Sequence, residues 1–305
     1  MSNLVRRMLN RWSIHVSKET WSAEVFSHAL KAIRRYHDSS ADVEERLRRQ
    51  RTSHVGEVPR EFVRLNVGAP WVWSEQMAQF YRETDGFVYE LVDWHHSEHR
   101  ARWRALLAKA ISPGMDVLCL GDGVGYDSCE IGRGQPDTRV SSFDYPGYSS
   151  AFAQRMIEDL RLSNVIQTTE LPNQCFDALV CLDVLEHVPD PPTLVRDIAN
   201  RLAPGAKAYI SEAYGWVRPS NPTHLRSNLE YAGRTIRLFE KRGLGYQGTL
   251  DSTRILVFQK GGRRALLPRH RFRYKMLGHT ARYEFNQDYP EGTIDMAAFV
   301  ASAKD

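Results

Sequence analysis

Long apolar runs are missing from this 305-residue chain. None approaches the roughly 20 residues that cross a bilayer, which excludes a helical membrane protein. With a mean hydropathy of −0.47 and 42% hydrophobic residues, the composition predicts a soluble globular chain that can bury one large core, or a core with an appended domain. Cysteine is scarce. Cys119, Cys129, Cys175 and Cys181 lie in or beside presumed central strands with no paired spacing, so a disulfide framework is excluded and reduced core thiols of a cytoplasmic protein are expected. Lysine is sparse too, with arginine carrying most of the basic charge at a net +4. That bias points to a GC-rich genome more than to a nucleic-acid surface. One basic run, Arg263 to Lys275, interleaves aromatics that could stack on bases. It is short, contains Pro268 and is followed by Glu284, Asp288, Glu291 and Asp295, so nucleic acid is not the expected partner. Arg6, Arg7 and Arg11, with no acid before Glu19, faintly resemble a transit peptide without the apolar core of a secretory signal. An amphipathic first helix is the plainer reading. Repeats and low-complexity tracts are absent, and His95, His96 and His99 lack the spacing of a tetrahedral zinc set. They are expected at the surface or on a substrate wall.

The stretch Asp116-Val-Leu-Cys-Leu-Gly-Asp-Gly-Val-Gly125 is the most informative part of the chain. Val117 to Leu120 have the continuous apolar character of a parallel strand covered on both faces. Gly121, Gly123 and Gly125 then allow a sharp turn and a close backbone approach to a ligand. The second apparent strand, Arg139-Val-Ser-Ser-Phe-Asp144, ends about twenty residues on in a carboxylate, where doubly wound folds place an acid against ribose hydroxyls. Phe176 to Leu182 reads as a further strand that breaks at Leu182 and Asp183, before a helix start at Pro191-Pro192, and Leu202 to Glu212 supplies another strand.

These four motifs, in this order and spacing, resemble the class I S-adenosylmethionine-dependent methyltransferases over roughly residues 106 to 260. The resemblance implies an α/β fold with a doubly wound, seven-stranded, mostly parallel sheet, and S-adenosylmethionine as cofactor. It implies Gly121, Gly123 and Gly125 under the methionine and ribose, Asp144 on the ribose hydroxyls, and Asp122 orienting the loop or the amino group. Tyr145, Leu182 and Asp183 are expected at the same site, with the adenine contact assigned to Gln167 or Thr168. A dehydrogenase is the rival reading of a glycine loop with a ribose acid. Asp127, near the start of the following helix, would repel a pyrophosphate and is acceptable beside a sulfonium.

In ubiquinone-pathway O-methyltransferases and some small-RNA end methyltransferases, a run similar to Asp183-Val-Leu-Glu186-His187 binds a divalent metal. Here the first acid is Asp rather than Glu, and no metal is expected. His187 remains a candidate catalytic residue. His224, after the fifth strand, is expected near the acceptor as the proton-accepting base, since imidazole titrates near neutrality.

Residues 1–105 read as a helical cap, with helices over Ser22 to Arg35 and Asp42 to Arg51. Residues 106–260 form the core, including a helix over Leu225 to Arg242 and a strand pair over Tyr246 to Leu250 and Thr253 to Phe258. Residues 261–305 are expected as a cap or long loop. Acids and aromatics mix in Asp85 to Trp94 and in Tyr283 to Tyr289, a pairing that suits a cationic, hydroxyl-rich ligand. A weaker resemblance, to antibiotic-pathway aminoglycoside N-methyltransferases, makes an amino sugar the expected acceptor. Methylation of a small-molecule hydroxyl, methylation of RNA, and a noncatalytic cofactor-binding subunit are the alternatives.

Overall fold

The computed structural model describes residues 23–37, 42–251, 253–263 and 268–303. Arg6, Arg7 and Arg11 lie outside them, and so do the side chains of the basic run from Arg264 to Lys275. Seven strands make one sheet: β1 (Asp116–Leu120), β2 (Arg139–Phe143), β3 (Val165–Thr168), β4 (Phe176–Leu182), β5 (Leu202–Ser211), β6 (Leu244–Thr249) and β7 (Leu256–Lys260). Their spatial order is β3-β2-β1-β4-β5-β7-β6. The pairs from β3 through β5 are parallel, and β7 runs antiparallel to both β5 and β6. Strand order reverses between β1 and β4, and at such a switch point open α/β sheets bind ligands beyond the strands' carboxyl ends.

Alternation along the strands sends side chains to two faces. Val117 and Cys119 of β1 join one apolar cluster, while Leu118 and Leu120 join the other. Helices α1 (Ala23–Tyr36), α2 (Val43–Thr52), α3 (Glu57–Arg64), α4 (Glu75–Glu83), α5 (Gly86–His95) and α6 (Glu98–Ala110) precede the sheet. Several of them feed its first cluster directly, since Ile33, Leu47, Val88, Val92 and Leu107 are buried there beside Val117 and Val140. A buried ion network ties these helices together. Arg46 donates to Glu57 at 2.8 Å and to Asp85 at 2.6 Å, with its guanidinium 4.1 Å from the Tyr89 ring centroid.

Helices α7 (Tyr126–Gly134), α8 (Tyr148–Asp159) and α9 (Pro191–Asn200) connect the parallel strands. Asp190 caps α9 by accepting from the Thr193 backbone N–H, which leaves Pro191 at the first helical position, where its missing N–H costs nothing. The continuous helix expected over Leu225 to Arg242 is instead a 3₁₀ turn, Arg226–Tyr231, and a short helix α10, Thr235–Glu240. Gly233, with φ of 74°, breaks it. The expected strand pair is present but shifted by two residues or so at each end. The expected tail loop is also corrected, because residues 261–305 contain α11 (Pro268–Asp288) and α12 (Met296–Ala301). Pro268 opens α11 rather than interrupting it. Gly278 lets α11 pass so close to the Ala232 carbonyl that a Cβ would collide with it. Cys119, Cys129 and Cys181 are buried as expected, but Cys175 is exposed.

Trp71 fastens the leading helices to the segment after β5. It is fully buried in a left-handed conformation, φ 64°. Its backbone N–H donates to Pro222 O at 2.8 Å, its carbonyl accepts from the Arg226 N–H at 2.9 Å, and its indole donates to Arg218 O at 3.0 Å. Phe285 of α11 and Tyr289, just past its end, close over the ring. Trp71→Ala should therefore lower unfolding stability by about 3–5 kcal/mol, as for buried aromatics replaced by alanine. Urea denaturation checks this, and a loss below about 1 kcal/mol would show that the fold does not depend on this latch.

Candidate active site

Beyond β1 the chain turns through three left-handed glycines, Gly121 (φ 72°), Gly123 (φ 58°) and Gly125 (φ 80°). A side chain at Gly121 would drive into Val184, and one at Gly123 would come within 2.7 Å of Leu91 Cδ1. Both glycines line a cavity of about 540 Å³. Gly125 does not. It caps α7, where a Cβ would lie 2.8 Å from that of Ala153, so its work is helix packing rather than ligand contact.

Asp144 follows β2 and lines the same cavity. Its carboxylate accepts from the Gly123 N–H at 2.5 Å and the Tyr145 N–H at 2.6 Å, bonds that lock the glycine turn to the end of β2. Burial nevertheless pushes its pKa up to about 6, against the two hydrogen bonds. Asp122 accepts from Ser142 Oγ at 2.7 Å and from the Ser128 N–H, so it orients the loop. Burial and then the neighbouring Asp127 raise it to about 7. Tyr145 and Leu182 line the cavity, whereas Gln167 and Thr168 do not. Thr168 Oγ1 donates back to Ser142 O, and the wall at that end is Leu171.

Asp183 ends β4 with a left-handed φ of 55°, a strained conformation for a residue with a Cβ and one that often marks a site. Ser211 Oγ donates to it at 2.8 Å, and Arg100 Nη1 lies 3.5 Å away. Arg100, on α6, went unnoticed in the sequence, where nothing distinguishes it among many arginines. In the fold it is 3% exposed, sits 3.6 Å from Asp127 and lies against the rings of Trp94 and Trp103. Its Nε and Nη1 complete no hydrogen bond. A buried guanidinium with spare donors on a cavity wall can donate to a ligand carboxylate.

Glu186, His187 and His224 come together across the mouth from the glycine turn, each offering a ligand atom within 4.8 Å of the others. Asp183, the first acid of the Asp183 to His187 run, stands apart with Ser211 and Arg100. Glu186 is 1% exposed, and neither carboxylate oxygen completes a hydrogen bond of good geometry, although the backbone N–H groups of Glu186 and Ala213 face it. Burial, then Asp183, raises its pKa well above the usual range. The two imidazole rings meet edge to face with centroids 4.6 Å apart. Burial lowers His187 to about 4 and holds His224 well below its ordinary value, so both rings are neutral at pH 7. Two neutral imidazoles and a buried carboxylate with no side-chain hydrogen bond are a donor set that fits a divalent cation. The same His224 lone pair fits the proton-accepting role expected of it.

The remaining wall comes from α5 and its neighbours, with Phe87, Glu90, Asp93 and Trp94 beside Trp73 and Tyr81. The Asp85 to Trp94 segment thus lies where it was expected. Tyr283 to Tyr289 does not, because Phe285 and Tyr289 pack on Trp71 while Glu284 and Asp288 line a separate cleft. His95 is buried with its ring stacked on Tyr126, and it reaches the cavity. His96 packs edge-on to Tyr126, and His99 against Trp94 and Trp103.

Residues 94–245, about half of the chain, match the methyltransferase domain family. This chain belongs to the class I methyltransferases. The family's cofactor is S-adenosylmethionine, and the glycine turn, the ribose-type acid Asp144 and the cavity between β1 and β4 fit it. The chain is 30% identical over 122 residues to a ubiquinone biosynthesis O-methyltransferase of Xanthomonas campestris pv. campestris, covering 38% of this chain and 50% of that protein. It is 40% identical over 53 residues to the protein so named from Xanthomonas oryzae pv. oryzae, covering 17% and 22%. The chain thus spans half or less of the length of these curated relatives. Among solved structures, the N-methyltransferase NodS from Bradyrhizobium japonicum WM9 with S-adenosyl-L-homocysteine is 14% identical, covers 54% of this chain and 87% of its own, and has a TM-score of 0.41. Magnesium protoporphyrin IX methyltransferase from Synechocystis PCC 6803 with bound S-adenosylmethionine is 19% identical, with coverages of 58% and 85% and a TM-score of 0.43.

Asp144→Ala should weaken S-adenosylmethionine binding by about 1.5–3 kcal/mol, the range for hydrogen bonds to a charged group. Affinity should also depend on pH. The ionised carboxylate is the better acceptor for two hydroxyls, and Asp144 ionises near pH 6. Wild-type affinity should therefore fall as pH drops through 6, and the dependence in that window should flatten in the variant. Titration calorimetry between pH 5 and pH 8 checks both, and equal affinity in the two proteins would remove Asp144 from the site.

Proposed function

We propose that this chain transfers a methyl group from S-adenosylmethionine to a hydroxyl oxygen of a small molecule seated between the Glu186–His187–His224 cluster and the aromatic wall of α5. The observation that carries this reading is the convergence of those three side chains, with a buried carboxylate that no other side chain hydrogen-bonds. A divalent cation held by Glu186 and His187 would act as a Lewis acid and lower the pKa of the acceptor hydroxyl, with the single lone pair of His224 left free. The chain's own residues do the rest. Gly121 and Gly123 leave room for the cofactor backbone, Asp144 takes its ribose hydroxyls, and Arg100 takes its carboxylate. The Trp73, Phe87 and Trp94 rings hold the acceptor's apolar faces and exclude water. His224, neutral and buried, accepts the hydroxyl proton. Because the sulfonium methyl is already activated, holding acceptor and donor in line is the larger part of the catalysis. The O-methyltransferase names of the curated relatives support a hydroxyl acceptor.

A second reading, N-methylation of an amine such as an amino sugar, is favoured by one feature of the same wall. Glu90 lines the cavity within one helical turn of Asp93, and burial, then Asp93, raises its pKa to about 7. An ammonium group docked there would relieve both effects, and His224 would take its proton.

The test is methyl transfer by metal-stripped protein to a panel of phenols, catechols and amino sugars, with and without magnesium or manganese. Transfer to a hydroxyl that needs the metal is the expected outcome, with His224→Ala lowering kcat about 100-fold, as for a lost general base. Transfer to amines that is indifferent to chelator would replace the hydroxyl reading with the amine one. No transfer to any member would overturn both.

A further inference from the structure

We infer that Tyr81, supplied by the helical segment ahead of the sheet, is a positioning residue that selects the tautomer of His187 in which Nε2 keeps its lone pair. This rests on the reading of Glu186, His187 and His224 as the acceptor-side cluster.

Tyr81 lies in the last turn of α4, which Ser74 caps by accepting from the Met77 N–H at 3.1 Å. Its ring is clamped. It stacks on Phe87 at 5.1 Å and 11° between planes, and tilts against Trp73 and Tyr145. The end of α4 is pressed onto the loop after β2, where a Cβ at Gly147 would lie 3.0 Å from the Tyr81 carbonyl oxygen. The phenol therefore enters the site from a fixed direction, between the residue after the ribose acid and the turn after β4.

Its hydroxyl lies 2.9 Å from His187 Nδ1, and Thr223 O lies 3.3 Å from the same nitrogen. A carbonyl oxygen can only accept, so an Nδ1–H satisfies Thr223 and can share its proton with the phenol oxygen. Nδ1 as a bare acceptor would leave that carbonyl facing a lone pair. A free histidine side chain prefers its proton on Nε2, and a carbonyl at 3.3 Å is a weak holder by itself. The phenol oxygen at 2.9 Å supplies the stronger contact as acceptor, because its own O–H has a second partner in the Thr223 hydroxyl. With the proton held at Nδ1, Nε2 is left as a lone pair, the form needed to accept a proton or to bind a cation.

The experiment uses the full-length protein, metal-stripped and labelled with ¹⁵N-histidine, at pH 7.5, with the His187 signals assigned from His187→Gln. Long-range ¹H–¹⁵N spectra should show His187 protonated on Nδ1 in the wild type. In Tyr81→Phe, which keeps the stacked ring, a substantial fraction should move to Nε2–H. The same variant should lose roughly tenfold or more in kcat, as when an outer partner of a site histidine is removed, with an unchanged Kd for S-adenosylmethionine. An Nε2–H tautomer in the wild type, or the same tautomer in both proteins, would overturn the inference. Absence of methyl transfer to every acceptor would count against the proposed function alone, since the tautomer is read without turnover.

Discussion

Carboxylates kept out of water at the carboxyl edge of a parallel sheet are the constraint on which this structure depends. Asp122, Asp127 and Glu186 are all nearly inaccessible and all line the cavity, and burial raises the proton affinity of each. A buried acid must be hydrogen-bonded, paired or neutralised. The fold meets that demand differently at each position. Asp122 receives bonds from Ser142 and Ser128. Asp127 lies beside Arg100, which it shares with Asp183. Glu186 has two neutral imidazoles next to it and no hydrogen bond from another side chain. The unmet need for positive charge is thereby concentrated where the acceptor would sit.

The helices ahead of the sheet belong to this arrangement rather than standing beside it. Their apolar faces share one cluster with the sheet, so the methyltransferase core would expose a large apolar surface without them. That packing also carries polar groups into the site. Arg100 comes from α6 and Tyr81 from α4, while Trp71 holds the loop that leads to His224. Trp71 and Asp183 are among the non-glycine residues in left-handed backbone conformations, and the surrounding bonds hold both in place. Strain of this kind persists only where tertiary contacts over-determine it.

Cofactor side and acceptor side also differ in how their residues are positioned. Gly121, Gly123 and Asp144 are set by backbone geometry, through strand ends, left-handed turns and main-chain hydrogen bonds. Glu186, His187 and His224 are set by side-chain packing between two segments, with Asn228 Nδ2 donating to the Leu185, Glu186 and Val188 carbonyls to hold the turn after β4. A backbone-built half tolerates little substitution at its glycines. The packed half can change its acceptor by changing the side chains of the wall.

The sequence by itself determined β1, β2, β4 and β5 of the parallel sheet but not the short β3, together with the glycine turn, Asp144 and the helix start at Pro191. Each is written in a few consecutive residues, through apolar runs, glycines that tolerate positive φ, and a proline at a first helical position. It misled where local signals were weak. Gly233 broke a helix that periodicity had extended, and Pro268 opened a helix where a loop was expected. Only the tertiary structure decided that Gln167 and Thr168 stay out of the cavity, that Arg100 enters it, and that Glu186 and His187 meet His224 while Asp183 turns away. Those outcomes depend on groups 26 or more residues apart in the sequence. Their meeting is set by which faces of the helices bury apolar surface against the sheet, and no short stretch of sequence contains that information.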